Sequence, residues 1–242
     1  MERTLLVVGA RAGSLGSHVL AEARDLSDRV GTFERIRSAD TAEADVTGSL
    51  RMDITSRKDV VSVLEEVRPT DVVCTAGINL PDGGEPGFLF SNMVRQLQVN
   101  TMGPVMLLEE AIDFWNSRCI PPRSGFNFCV VSSNSAHVAR SESAGYCASK
   151  AALSMAVRCI ARRVAGRGVT IWGYEPGWMN GTPMSSEVHD RLGGDVRPHR
   201  IPGGKGIHPR EVANRIVADM AEARGTNRGI HGTMVRLDGG EQ

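Results

Sequence analysis

A short apolar run at residues 5–8 opens straight into a glycine-rich turn, Gly9-Ala10-Arg11-Ala12-Gly13-Ser14-Leu15-Gly16. A helical stretch is predicted near residues 15–23, and the pairing of short run and helix then recurs down the chain. Residues 29–33, 50–53, 71–75, 127–132, 169–174 and 233–237 read as further strands. Residues 60–67, 90–115, 144–165 and 209–222 read as helices, the second with a kink at Gly103-Pro104. Several strands are continuously apolar rather than alternating, which predicts burial on both faces. The pattern therefore implies an α/β fold, a doubly wound parallel sheet with helices on both faces. The 242 residues suit one large α/β domain or two small ones, and a single domain over 1–242 is the expectation. Residues 116–125 carry Pro121-Pro122 and break the passage from helix to strand. Residues 182–208 are rich in Gly, Pro, His and Arg and have little periodicity. A loop of that length is usually functional or disordered, and a lid over the substrate is expected.

Composition narrows the function classes. Basic and acidic residues total 28 each, so no nucleic-acid surface is expected. The five cysteines, Cys74, Cys119, Cys129, Cys147 and Cys159, contain no Cys-x-x-Cys. Free thiols in a reducing compartment, with no metal site, fit that pattern. The apolar part of the N-terminus is too short for a signal peptide. No stretch reaches the ~18 apolar residues of a membrane helix. A cytoplasmic protein without a membrane partner is expected.

Glycines let a backbone approach a pyrophosphate, and the helix behind the turn offers free N–H groups and a positive dipole end. Because this turn closes the first strand of a βαβ pattern, Gly9, Arg11, Gly13, Leu15 and Gly16 are expected to hold a dinucleotide. Glu34 is placed at the end of the second strand, where a carboxylate accepts from ribose hydroxyls and repels a 2′-phosphate. That favours NAD(H) over NADP(H). Arg35 and Arg11 can each neutralise a 2′-phosphate, so NADP stays open. Asp53 and Ile54, ending the next strand, can meet the adenine edge, although Asp53 can equally cap a helix.

Tyr146 and Lys150 stand four residues apart, on one face of a helix. The cation favours phenolate and draws the tyrosine pKa toward the working pH, which makes an acid–base pair. Ser133 and His137 lie upstream, and with an acid they would suggest a hydrolase. No Gly-x-Ser-x-Gly elbow surrounds Ser133, which argues against that chemistry. Cys147 reads as packing rather than as a nucleophile.

Taken in order, the landmarks resemble the short-chain dehydrogenase/reductase family over nearly the whole chain. They are the glycine turn, Asp53-Ile54, Ala76-Gly77, Asn100, Ser132-Ser133, Tyr146-x-x-x-Lys150, Pro176-Gly177 and Asp238-Gly239-Gly240. Ser133 precedes Tyr146 by the family's typical thirteen residues. The resemblance implies a Rossmann-like sheet and an NAD(P)-dependent oxidoreductase that interconverts a secondary alcohol and a carbonyl by hydride transfer. It implies Tyr146 as acid/base, Ser133 on the substrate oxygen, Lys150 on Tyr146 and the nicotinamide ribose, and Asn100 beside a water. It assigns Ala76, Gly77, Pro176, Gly177, Met179 and Thr182 to the cofactor, Thr182 to the carboxamide. Substrate contacts are expected from Asn134, Ser135, His137, Trp178, Met179 and Met184. A homotetramer or homodimer packed through helices 90–115 and 144–165 is also implied. Two departures stand out. The turn is one residue longer before its last glycine, and Cys74-Thr75 replaces the family's Asn-Asn before Ala-Gly. The rival reading is a cofactor-binding sensor or scaffold on the same fold, which needs no aligned proton donor. An epimerase or dehydratase on a related fold would carry a larger C-terminal substrate domain.

Overall fold

The computed structural model describes residues 3–31, 33, 35–40, 49–83, 88–117, 125–191, 193, 206–223 and 229–239. Seven strands, β1 Thr4–Val8, β2 Arg35–Asp40, β3 Ser49–Arg51, β4 Asp71–Cys74, β5 Phe126–Val131, β6 Val169–Pro176 and β7 Met234–Leu237, form one sheet. Their order is β3-β2-β1-β4-β5-β6-β7, and every neighbouring pair is parallel. The winding reverses between β1 and β4, so the C-terminal ends of those strands flank a crevice.

The helices are α1 Leu15–Val30, α2 Arg57–Val67, α3 Phe88–Leu97, α4 Gly103–Ser117, α5 Ala144–Arg163, α6 Pro183–Arg191 and α7 Pro209–Glu222. Alternate strand residues serve opposite faces. Leu5, Val7, Val73, Cys129, Val131, Trp172 and Tyr174 pack with Val19, Leu20 and Ala23 of α1 and Val212, Ile216 and Met220 of α7. Leu6, Val8, Val72, Phe128, Val130 and Ile171 pack against α2, α4 and α5 on the other side. Full burial stabilises by about 1.5–3 kcal/mol per large apolar side chain, so these two layers dominate what holds the sheet between its helices. The N-terminal edge is tied by polar contacts. The Asp71 carboxylate accepts from the Arg3 guanidinium, from Thr70 Oγ1 at 2.6 Å and from Asn127 Nδ2 at 2.7 Å.

Three expectations need correction. The second strand is not at residues 29–33, because α1 runs on through Arg29 to Val30 and stops at Gly31, a left-handed cap whose N–H donates to Ser27 O. The expected helix over 15–23 is thus seven residues longer, and β2 begins at Arg35. The third strand ends at Arg51, before Asp53. The long helix over 90–115 is broken earlier than its Gly-Pro pair: a π-helical turn, Gln98–Met102, separates α3 from α4. Pro104 has no N–H to give, and Gly103 lies so close to Ile54 that a β-carbon there would stand 3.0 Å from Ile54 Cγ2. Just before that pair the helix widens, Gly103 N donating to Gln98 O, a device common at functional sites.

Candidate active site

The glycine turn lies against β4 and the start of α1. A β-carbon on Gly9 would stand 2.5 Å from Ala76 N, and one on Gly16 would stand 2.5 Å from Gly9 O; neither position has room for a side chain. Ser14 closes the turn onto the helix. Its hydroxyl donates to Gly9 O at 3.2 Å and accepts from Ser17 N at 3.4 Å, capping α1. Thr75, flagged from sequence as a lost asparagine contact, locks the turn instead. Its hydroxyl lies 3.0 Å from Val8 O and 2.9 Å from Gly9 O. The result is a helix N-terminus over a close-packed glycine cradle at the switch point, a fit for a pyrophosphate. Gly13, at φ 74°, and the exposed Arg11 complete the turn.

Glu34 lies outside the described residues. The β2 residue beside the glycine turn is Asp40: Gly9 N donates to Ala39 O at 3.0 Å, whereas Arg35 pairs with Thr4 at the far end of β1. Asp53 and Ile54 do not end a strand. Ile54 is core, and one Asp53 oxygen accepts from Thr55 N and Thr55 Oγ1, both at 2.8 Å. The cap of α2 is Ser56.

Ser133, Tyr146, Lys150 and Asn100 gather around the C-terminal ends of β4 and β5. Lys150 is 3% exposed, and its Nζ donates to Val131 O at 3.0 Å. The ammonium stands 5.7 Å from the Tyr146 ring centroid. Among the described residues no carboxylate pairs with it, and burial pulls its pKa from the ordinary 10.5 down to about 8. Asn100, on the π-helical turn, takes Ile78 N on Oδ1 at 2.8 Å and donates from Nδ2 to Ile78 O at 2.8 Å and Ser149 Oγ at 3.0 Å. Gly77 separates the two: a β-carbon there would stand 3.3 Å from Lys150 Nζ and 3.4 Å from Asn100 Oδ1. Ser133 caps the 3-10 turn Asn134–Ala136, accepting from Ser135 N at 3.1 Å. Ser132 fixes α5 by donating to Lys150 O at 3.0 Å.

Ser133 and Tyr146 open onto a cavity whose wall also holds Asn134, Ser135, Pro176, Gly177, Trp178, Met179, Thr182 and Met184. His137 is not in that wall. Its Nε2 lies 2.8 Å from Glu175 Oε2, and the other Glu175 oxygen accepts from Ser154 Oγ at 2.7 Å. The Thr182 hydroxyl is engaged with α6, accepting from Ser185 N at 3.1 Å. Within the expected lid, Pro183–Arg191 is helical, and residues 192 and 194–205 lie outside the described residues. Ile207 N donates to Trp178 O at 2.9 Å, joining the chain just before that stretch to its far end. Cys147 is packing, as expected: its thiol meets Val138 O at 3.7 Å and burial raises its pKa; Cys119 lies outside the described residues. Sequence reasoning missed Arg140, a buried guanidinium in the wall held by Ser135 Oγ at 3.1 Å and Asn134 Oδ1 at 3.3 Å. It also missed Asn79, Val188 and Asp82.

A glycine cradle at the switch point of a parallel sheet, beside a buried Ser–Tyr–Lys–Asn group, defines a nucleotide-binding oxidoreductase of the Rossmann type. The family model for the short chain dehydrogenase matches residues 7–193; the chain belongs to that family and acts on CH–OH groups with NAD(P) as acceptor. It is 24% identical over 230 residues to the glucose 1-dehydrogenase of Gluconobacter oxydans (strain 621H), covering 93% of this chain and 82% of that one. Its fold is similar to the ligand-free aldohexose dehydrogenase AldT of Thermoplasma acidophilum, with TM-score 0.77, 21% identity, and 99% and 93% of the two chains covered. It is similar as well to the NADPH-dependent 3-quinuclidinone reductase of Rhodotorula rubra, with TM-score 0.77, 17% identity, and 98% and 90% covered. Among the described residues no helix is long and apolar enough to cross a membrane.

Proposed function

We propose that the chain interconverts a secondary alcohol and a carbonyl, with Tyr146, Lys150, Asn100 and Ser133 handling the proton. The observation that carries this reading is the buried, carboxylate-free Lys150 ammonium set between the Tyr146 ring and Asn100. A bound nicotinamide supplies or accepts the hydride. Tyr146 gives the proton to the developing alkoxide, or takes it in the reverse direction. Ser133 donates to the same oxygen and steadies its charge. Lys150 favours the phenolate by its charge. Gly9, Gly13, Gly16 and the start of α1 hold the pyrophosphate, while Ala76, Gly77, Pro176, Gly177, Met179 and Thr182 line the nicotinamide side.

Asp40, at the end of β2, is placed to read the adenosine ribose. A carboxylate closing β2 beside the turn accepts from ribose hydroxyls and repels a 2′-phosphate, which supports NAD over NADP. The cavity wall sets amides and hydroxyls of Asn79, Asn134 and Ser135 against Trp178, Met184 and Val188. Together with the sugar-oxidising relative, that mixture supports a polyhydroxylated substrate such as an aldohexose. Phe90 at 73%, Met102 at 63% and Met155 at 57% exposure mark the outer faces of α3, the π-helical turn and α5. Covering them with a second copy of the chain supports a dimer or tetramer, which light scattering checks.

The test begins with NADH and NADPH fluorescence on the purified chain; binding of neither defeats the reading. Aldohexoses and cyclic ketones are then followed by nicotinamide absorbance. Tyr146→Phe is expected to lower kcat at least ~100-fold, and undiminished turnover would remove Tyr146 as the proton donor. Asp40→Ala should narrow the NADH preference over NADPH.

A further inference from the structure

We propose that Asp82 is a positioning residue for Tyr146, and that the loop carrying it ties the phenol's alignment to the seating of α6 over the cavity. The proposal rests on the reading of Tyr146 as proton donor. Tyr146 sits in the first turn of α5, where the helix's own flank leaves it uncapped: Ser143 makes no side-chain cap. The cap comes instead from a loop 62 residues upstream. The Asp82 carboxylate accepts from Ala144 N and, at 3.4 Å, from Gly145 N. A carboxylate there satisfies two orphan amides and meets the positive end of the helix dipole. The next residue is the phenol.

That loop is held along its length by one polar stripe. Asn92, Gln96 and Asn100, spaced by four, face it from α3 and the π-helical turn. Asn100 takes and gives hydrogen bonds at Ile78, Gln96 Oε1 accepts from Leu80 N at 3.0 Å, and Asn92 Nδ2 donates to Pro81 O at 2.8 Å. Gly145 closes α5 onto the same stripe, since a β-carbon there would stand 2.6 Å from Gln96 Nε2. The remaining residue, Asn79, is held by the far side of the cavity. Arg191, in the last turn of α6, donates from Nη1 to Asn79 O at 3.1 Å and from Nη2 to Asn79 Oδ1 at 3.2 Å. Asn79 and Tyr146 share the cavity wall with Met184, Ser185 and Val188 of α6.

Two rigid attachments therefore meet in five residues. Arg191 grips residue 79 for α6, and residue 82 grips the start of α5. When α6 swings from the cavity, Asn79 loses both of its guanidinium bonds, and the loop that sets the Asp82 cap relaxes with it. A substrate that seats α6 thereby tightens the first turn of α5, so binding and phenol alignment become one event.

Hydrogen exchange on the full chain tests this without any substrate. Asp82→Ala should speed exchange of the residue 144–147 amides about fivefold, as loss of a helix cap does, and leave residues 151–163 unchanged. Asp82→Glu should restore most of the protection. Arg191→Ala, which touches no part of α5, should speed the same four amides about twofold. Even acceleration along all of α5, or no effect of Arg191→Ala on residues 144–147, overturns the proposal. On a substrate from the panel, Asp82→Ala should lower kcat with NADH affinity unchanged, and the double variant should lose no more kcat than Asp82→Ala alone; strictly multiplicative losses would overturn the coupling. Wild-type protein that turns over nothing counts against the dehydrogenase reading, while the exchange result stands or falls by itself.

Discussion

At the N-terminal edge of the sheet, Asp71 is buried among donors: a guanidinium, a hydroxyl and an amide all point at its carboxylate. At the C-terminal edge, Lys150 is buried to a similar degree and has one carbonyl, Val131 O, as its acceptor. The first arrangement offsets the desolvation of its charge; the second leaves much of that cost standing, which is why the Lys150 pKa falls to about 8. One end of the same β4–β5 pair is built for stability and the other holds an ammonium at a disadvantage. On the proposed reading the disadvantage has a use, because an ammonium short of partners is available to a phenolate and a ribose.

The contrast breaks most sharply at Asp71. Asp71→Ala takes the carboxylate from the largely buried Arg3 guanidinium, which keeps only the Met220 and Ala221 carbonyls, and should destabilise by about 3–5 kcal/mol. For a chain this long that is a fall in Tm on the order of 10 °C, read by calorimetry. Nucleotide affinity of the folded variant at low temperature should be unchanged, since the sheet's opposite edge carries the site. A matching loss of affinity would join the two edges into one unit and end the comparison.

Lys150→Met should move stability the other way. The folded chain holds the ammonium at about 8, below its ordinary 10.5, so unfolding takes up a proton between those values and stability climbs with pH across that window. Below pH 8 both states are protonated and the full cost, about 3 kcal/mol, applies. The variant should therefore melt higher than wild type at pH 7 in the absence of nucleotide, and the gap should close as pH approaches 10.5. A variant less stable than wild type at pH 7 would mean that the ammonium is satisfied after all. Turnover should be lost regardless.

How much of this was readable beforehand follows from where each signal lives. The two edges differ in that respect too. Tyr146 and Lys150 share a helix face, and Ser133 keeps a fixed spacing to them, so local sequence carries the constellation. The continuous apolar runs carry the parallel sheet in the same way. Asp82 acts through partners that only the fold brings near; it caps a helix 62 residues on, and no periodicity encodes such a contact. The misplacement of the second strand has a different cause: Gly31 terminates α1 with a left-handed residue, so β2 starts six residues later than expected and Asp40 stands at its end.

The smallest expected effect is the most specific to this chain. Thr75 stands where the family carries an asparagine, and its hydroxyl holds two β1-side carbonyls, Val8 O and Gly9 O. Thr75→Val keeps the shape and removes the donor. The carbonyls lie at the buried junction of β1, β4 and the glycine turn, so losing the bond should cost about 1–2 kcal/mol. Because the turn itself is what loosens, the change should be concentrated in NADH affinity, with a rise in Kd of several-fold and little change in the residue 144–147 amides. Gly16 limits any rescue by a larger residue: its position lies 2.6 Å from Thr75 Oγ1 when a β-carbon is added, so Thr75→Asn should bind NADH worse than Thr75→Val rather than restore the family's contact. Better binding by the asparagine variant would show that the lengthened turn has room for the family's side chain, and the lock would then belong to the loop's length and not to Thr75.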